Sequence, residues 1–174
     1  LYRVPDMVEN VIVQQEPKIR DLAREFADGP LMVFLGRGIS SATAMEARLK
    51  LLEIAYVPSV TYPAGESKHG PISLIEPGVP VVFVIPRDAS RKTILGNVTE
   101  MKARGASILS VVEEGDEEVK ELSDEFIEVP SGVHPLLSPM VYVLPLQLFA
   151  YYMSIERRLD PDKPRNLAKS VTVT

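Results

Sequence analysis

The sequence predicts an α/β protein: a three-layer α-β-α sandwich around a doubly wound parallel sheet, flavodoxin-like in its winding. Three observations carry that expectation. Short apolar runs at 31–35, 79–85 and 107–112 have no polar alternation, the pattern of strands buried on both faces. Segments with helical spacing of apolar residues lie between them, and strands alternating with helices argue for a parallel sheet covered on both sides. The first two runs close on the turn 36–41 and on Pro86, and right-handed crossovers between such strand–helix units give double winding.

Taken in order, residues 6–27 carry Met7, Val8, Val11, Ile12, Ile19, Leu22, Ala23 and Phe26 at helical spacing, with a step expected near Pro17. Asp28-Gly29-Pro30 ends that helix and the first strand follows. Gly36-Arg37-Gly38-Ile39-Ser40-Ser41 is the next turn, with Ser40 or Ser41 expected to cap a helix running to about Tyr56. A short strand at 59–62 leads into the loop 64–71. After the strand at 79–85, Pro86 breaks the run, and a helix is expected over 89–104 up to Gly105. The third apolar strand precedes an acidic stretch, 113–121, read as a solvated loop or helix face. A short strand at 126–129 follows, and then a long apolar helix within 135–158, where Pro139 marks the start and Pro145 a kink.

A chain of 174 residues suits one domain with a sizeable core, here 1–174 ending in an extended tail from 160. Hydrophobic and charged fractions of 45% and 25% are ordinary for a globular chain. The net charge of −5 and the sparse basic pairs argue against nucleic acid as a partner. No uninterrupted apolar run reaches the ~18 residues of a membrane span, so no membrane partner is expected. Without Cys there are no disulfides, thiolate sites or Cys nucleophile. Two histidines and scattered carboxylates offer no metal-ligand spacing, and no cofactor is expected. The start lacks Met and has no leader pattern, so the cytoplasm is the default location and a truncated or processed start is expected.

Four features bear on chemistry. Lys50 and Glu53, three apart on a helix, share a face. Such a pair is ordinarily a surface ion pair, but Leu49, Leu51, Leu52, Ile54 and Ala55 make this stretch apolar nearly all round, and partial burial tunes carboxylates for proton transfer. His69 lies between Lys68 and Gly70-Pro71; a loop histidine is usually a surface residue, yet one fixed by a rigid turn can pass protons near neutrality. The glycines and helix start at 36–41 suit an anion, although tight strand-to-helix turns often look like this without a ligand. Lys169, in the tail Pro-Arg-Asn-Leu-Ala-Lys-Ser-Val-Thr-Val, is by default a solvated charge, and His134 is read as structural.

The 50–53 pair, the loop 65–71 and above all the run 164–173 resemble the last sugar-isomerase (SIS) domain of the glucosamine-6-phosphate synthase family, over nearly the whole chain. The resemblance implies an aldose–ketose isomerase. Glu53 is then the base that moves a proton between C1 and C2, with Lys50 assisting. Lys169 forms a Schiff base with the open-chain ketose, and Ala168 lines the substrate through its backbone. His69 acts in ring opening from the partner subunit of a homodimer. The substrate implied is a sugar phosphate, fructose 6-phosphate giving glucosamine 6-phosphate with ammonia from glutamine. The turn 86–91 lacks the family's Ser-x-Ser-Gly-x-Thr phosphate pattern. Phosphate binding and glutaminase chemistry are accordingly expected in upstream SIS and glutaminase domains, leaving this piece folded but nearly inactive alone. The alternatives are a non-catalytic SIS module that binds a phosphosugar as a regulator, with 36–41 as its ligand turn, and a structural dimerisation domain using the apolar 136–152 segment.

Overall fold

The computed structural model describes residues 1–167. Five parallel strands, β1 (Met32–Gly36), β2 (Ser59–Pro63), β3 (Pro80–Ile85), β4 (Ser107–Glu113) and β5 (Glu125–Val129), form one sheet in the order β2-β1-β3-β4-β5. β1, β3 and β4 are the central strands and are almost wholly buried, which is why their sequences run apolar without alternation. β2 and β5 lie at the edges and are only partly covered.

Helices α1 (Val4–Phe26), α2 (Ile39–Lys50) and α5 (Ser138–Glu156) cover one face, where Met32, Phe34, Val82, Val84, Leu109, Val111 and Ile127 point into their shared core. α3 (Arg91–Lys102) and α4 (Glu117–Leu122) cover the other, over Val33, Leu35, Phe83, Ile85 and Ile108. The alternation of strand residues between the two cores is the period-two geometry of a strand. The three layers and the double winding are those the sequence predicts.

α1 runs through Pro17, whose missing N–H does not end a helix held against α5 along its length. By length and composition α5 would pass for a membrane span, but half of that segment is buried in the domain. Pro139 stands in its first turn, where the lost N–H costs nothing, and Pro145 lies inside it.

Three sequence expectations are corrected. Neither Ser40 nor Ser41 caps α2. The cap position is Gly38, at a positive φ of 60°, and the hydroxyls bond back into the turn: Ser40 Oγ accepts from Arg37 N–H at 2.9 Å and Ser41 Oγ donates to Gly36 O at 3.0 Å. α2 does not reach Tyr56 as an α-helix; after Lys50 it widens into a π-helical turn, Leu51–Ala55, and Tyr56 leaves it in the left-handed conformation. The acidic stretch 113–121 is not uniformly solvated, because Glu113 and Asp116 are buried. Glu113 accepts from Gly132 N–H at 3.1 Å, and Asp116 takes a bidentate grip from Arg91, with an Nε–Oδ2 distance of 3.0 Å. Both partners are remote in sequence, so local composition carried no sign of them.

Candidate functional site

The amino edge of the sheet, where α2 ends and β2 begins, gathers most of the candidate residues the structure describes. Lys50 is the last residue of α2 and Glu53 sits in the π-turn after it. Lys50 Nζ donates to Glu53 Oε2 at 2.7 Å and lies 3.5 Å from Glu46 Oε1. The side chains are 32% and 28% exposed, so the pair is neither a free surface bridge nor a sealed one. The hydrogen bond to Glu53 holds the Lys50 ammonium above the usual lysine range; partial desolvation opposes this and the nearby Glu46 charge adds to it. Lys50 is therefore a cation at neutral pH.

Glu53 opens on a shallow cavity of about 270 Å³ lined by Leu52, Glu53, Tyr56, Arg165, Asn166 and Leu167. Tyr56 is its wall: φ of 55° turns the chain sharply out of the π-turn, and its hydroxyl accepts from Arg165 N–H at 2.7 Å. The Arg165 guanidinium lies 4.0 Å from the centre of the Tyr56 ring, a cation–π contact. The entry to the tail is thus seated beside the carboxylate predicted to act as base. Ala168 and Lys169 lie outside the described residues.

His69 is elsewhere. It ends the 3₁₀ turn Ala64–His69 that follows β2, exposed at the carboxyl edge of the sheet beside Gly70, whose φ is 131°. Five residues of β2 separate that edge from the π-turn, roughly 15 Å at about 3.3 Å per residue. One chain does not bring His69 to Glu53.

The two turns considered for an anion are braced by internal bonds. At 36–41 both serine hydroxyls are engaged, and a Cβ on Gly36 would strike the Ser40 carbonyl. At 86–91 the cations face carboxylates: Arg91 grips Asp116, Arg87 lies 3.6 Å from it, and Asp88 accepts from Ser90 N–H at 2.7 Å. A different cavity at the carboxyl edge, about 430 Å³, is lined by Arg37, Lys68, Lys92, Asn97 and Glu100, with Lys68 and Glu100 paired at 2.7 Å. His134 accepts from Leu136 N–H through Nδ1 and opens a 3₁₀ turn, a structural role. Among the described residues no cluster of three His, Asp or Glu side chains is arranged to hold a metal ion.

The sequence profile of the SIS domain family matches residues 25–157. The chain belongs to the SIS domain family. This SIS domain is 46% identical, over 99% of its length, to glutamine–fructose-6-phosphate aminotransferase [isomerizing] of Methanothermobacter thermautotrophicus, and 47% identical to that of Thermococcus kodakarensis. It spans 29% and 28% of those proteins, less than a third of either. Among solved structures it resembles the C-terminal domain of glucosamine-fructose-6-phosphate aminotransferase from Francisella tularensis, with a TM-score of 0.85 and 33% identity, covering 93% of this chain and 45% of that one. A tagatose-6-phosphate ketose/aldose isomerase from Escherichia coli shares the fold, with a TM-score of 0.81 at 19% identity.

Tyr56 and Arg165 line the cavity beside Glu53, and sequence reasoning gave neither a role. A left-handed Tyr and a contact between positions 109 residues apart leave no local pattern. The one available signal was the Pro-Arg-Asn entry to the tail, which marks a chain stiffened for docking.

Proposed function

We propose that this SIS domain is the C-terminal isomerase subdomain of a glutamine–fructose-6-phosphate aminotransferase, working on an open-chain hexose 6-phosphate. The observation that carries the reading is that Glu53, bonded to Lys50, lines one cavity with the entry of the tail. Isomerisation between a ketose and an aldose moves one proton between C1 and C2, and a carboxylate held at the edge of a cavity fits that work. Glu53 takes the proton from C1 of the fructose-derived intermediate and returns it to C2. Lys50, held as a cation, orients the carboxylate and offsets charge that develops on the neighbouring oxygen.

Lys169 supplies the amine that condenses with the ketose carbonyl, releasing water, and ammonia then displaces it. Ala168 lines the sugar through its backbone. A neutral amine there requires a lowered pKa, which the fixed charge of Lys50 favours. His69 serves ring opening at the site of a second copy in a cytoplasmic homodimer, since within one chain it stands at the opposite edge of the sheet. The phosphate is held by an upstream SIS domain, in keeping with the serines of 36–41 and the arginines of 86–91 being engaged internally. Residues 1–174 form one SIS domain whose tail, from 160, belongs to the catalytic site.

The test is Glu53→Gln in the full-length enzyme. Isomerisation should fall by roughly 10²–10⁴-fold while glutamine hydrolysis persists, because only the proton-transfer step loses its base. Full isomerase turnover in that variant would end the reading. A second reading, a phosphosugar-binding regulatory module, is favoured by the cationic cavity of Arg37, Lys68 and Lys92. It predicts binding of a hexose 6-phosphate that Arg37→Ala abolishes and Glu53→Gln does not.

A further inference from the structure

The mechanism above leaves one arrangement unused: the double contact between Tyr56 and Arg165. The π-turn that ends α2 is a widened helical turn, a form concentrated at functional sites, and it closes on a non-glycine residue in the left-handed region. That conformation disfavours a bulky side chain, so something must hold Tyr56 there. What it holds in turn is the tail. The phenol oxygen accepts the backbone N–H of Arg165 at 2.7 Å and the ring lies under that residue's guanidinium at 4.0 Å. Leu167, two residues on, lines the cavity that Glu53 lines. Two residues of chain span at most about 7 Å, so a clamp at Arg165 sets where the segment beyond it starts.

We propose that Tyr56 is a positioning residue: a latch that seats the chain from Arg165 to Leu167 against the cavity that Glu53 lines. The catalytic part of this inference rests on the reading of Glu53 and Lys169 given above; the latch itself does not. A seated segment raises the effective concentration of whatever it carries at the carboxylate, whereas a free one must find the cavity in each turnover. A latch that acts by seating the tail shows in kcat rather than in KM.

The experiment uses the full-length enzyme with Tyr56→Phe, Tyr56→Gly and Arg165→Ala. Glycine is the residue best suited to φ of 55°, so Tyr56→Gly removes the latch without straining the backbone, and an unchanged thermal midpoint for the domain checks this. Hydrogen exchange of residues 160–167, without substrate, decides the latch alone. Tyr56→Gly, which loses both contacts, should exchange there at least about tenfold faster than wild type, with Tyr56→Phe and Arg165→Ala between, since the first keeps the ring and the second keeps the backbone N–H. Wild-type exchange in Tyr56→Gly overturns the proposal. The isomerase assay then decides what the latch is for. kcat should fall about 10- to 100-fold in Tyr56→Gly and about threefold in Tyr56→Phe, with KM for fructose 6-phosphate within about twofold of wild type. Faster exchange with unchanged kcat overturns the positioning role. Glu53→Gln and Lys169→Ala run alongside: if both retain turnover, the catalytic reading has failed, and the exchange result still stands on the latch.

Discussion

At the scale of single residues, Lys50 carries the clearest electrostatic statement in the site. Its pKa is raised above 10.5, chiefly by the bond to Glu53. A lysine whose folded pKa is raised stabilises the fold below its unfolded pKa, and that contribution disappears only as pH climbs through the folded value. Lys50 therefore stays a cation through neutral pH. We expect Lys50→Gln to cost about 0.5 kcal/mol or less, given that both side chains are about a third exposed, and to cost the same at pH 6 and pH 9. Urea unfolding at the two pH values checks it; a cost that halves between them would mean that Lys50 titrates near neutrality. The charge at Glu53 thus has a fixed neighbour, and a pH limb in turnover near neutrality does not belong to Lys50. The spacing of Lys50 and Glu53 was legible because i and i+3 meet on any helix. The seating of Arg165 on Tyr56 was not, since it depends on where a distant segment returns.

At the scale of elements, the loops beyond β1, β3 and β4 are shaped by internal bonds. Gly36 passes so close to the Ser40 carbonyl that a single methyl has no room, and the obstacle is backbone, which does not swing aside. Gly36→Ala should destabilise the domain by about 3 kcal/mol, read as a lowered denaturation midpoint with an unchanged slope. Asp116 ties α3 to the end of β4. Burial alone would push its carboxyl up, but the Arg91 bond and charge, with Arg87, outweigh that and hold it below the usual aspartate range. A lowered carboxyl pKa stabilises above the unfolded value near 4 and loses that contribution as pH falls through the folded one. Asp116→Asn should cost about 2–3 kcal/mol at pH 7, and the gap from wild type should narrow below about pH 4. Strands were the most legible elements because burial on both faces writes itself into consecutive residues, as in Val81 to Ile85. The end of α2 was not, because Leu51–Ala55 has the same composition whether it winds as α or π. Glu113 and Asp116 looked solvated because their partners, Gly132, Tyr142 and Arg91, come from other parts of the chain.

At the scale of the whole molecule, the sheet separates the residues of the proposed site. Glu53, Lys50 and the seat of the tail lie at the amino edge, while His69 lies at the carboxyl edge across the length of β2. No rearrangement within the fold exchanges the two ends of a strand paired in register with β1 from Met32–Ser59 to Gly36–Pro63. If His69 acts at a Glu53 site, it does so in a second copy, and a two-fold dimer then has two sites, each built from both chains. Mixed subunits test this directly. His69→Ala and Glu53→Gln enzymes, each nearly inactive, are unfolded together and refolded. In a heterodimer one site collects both substitutions and the other collects neither. Random pairing makes half the dimers mixed, each with one intact site, so about a quarter of wild-type isomerase activity should return. Residues acting within one chain would give no recovery on mixing, because every site would keep one defect.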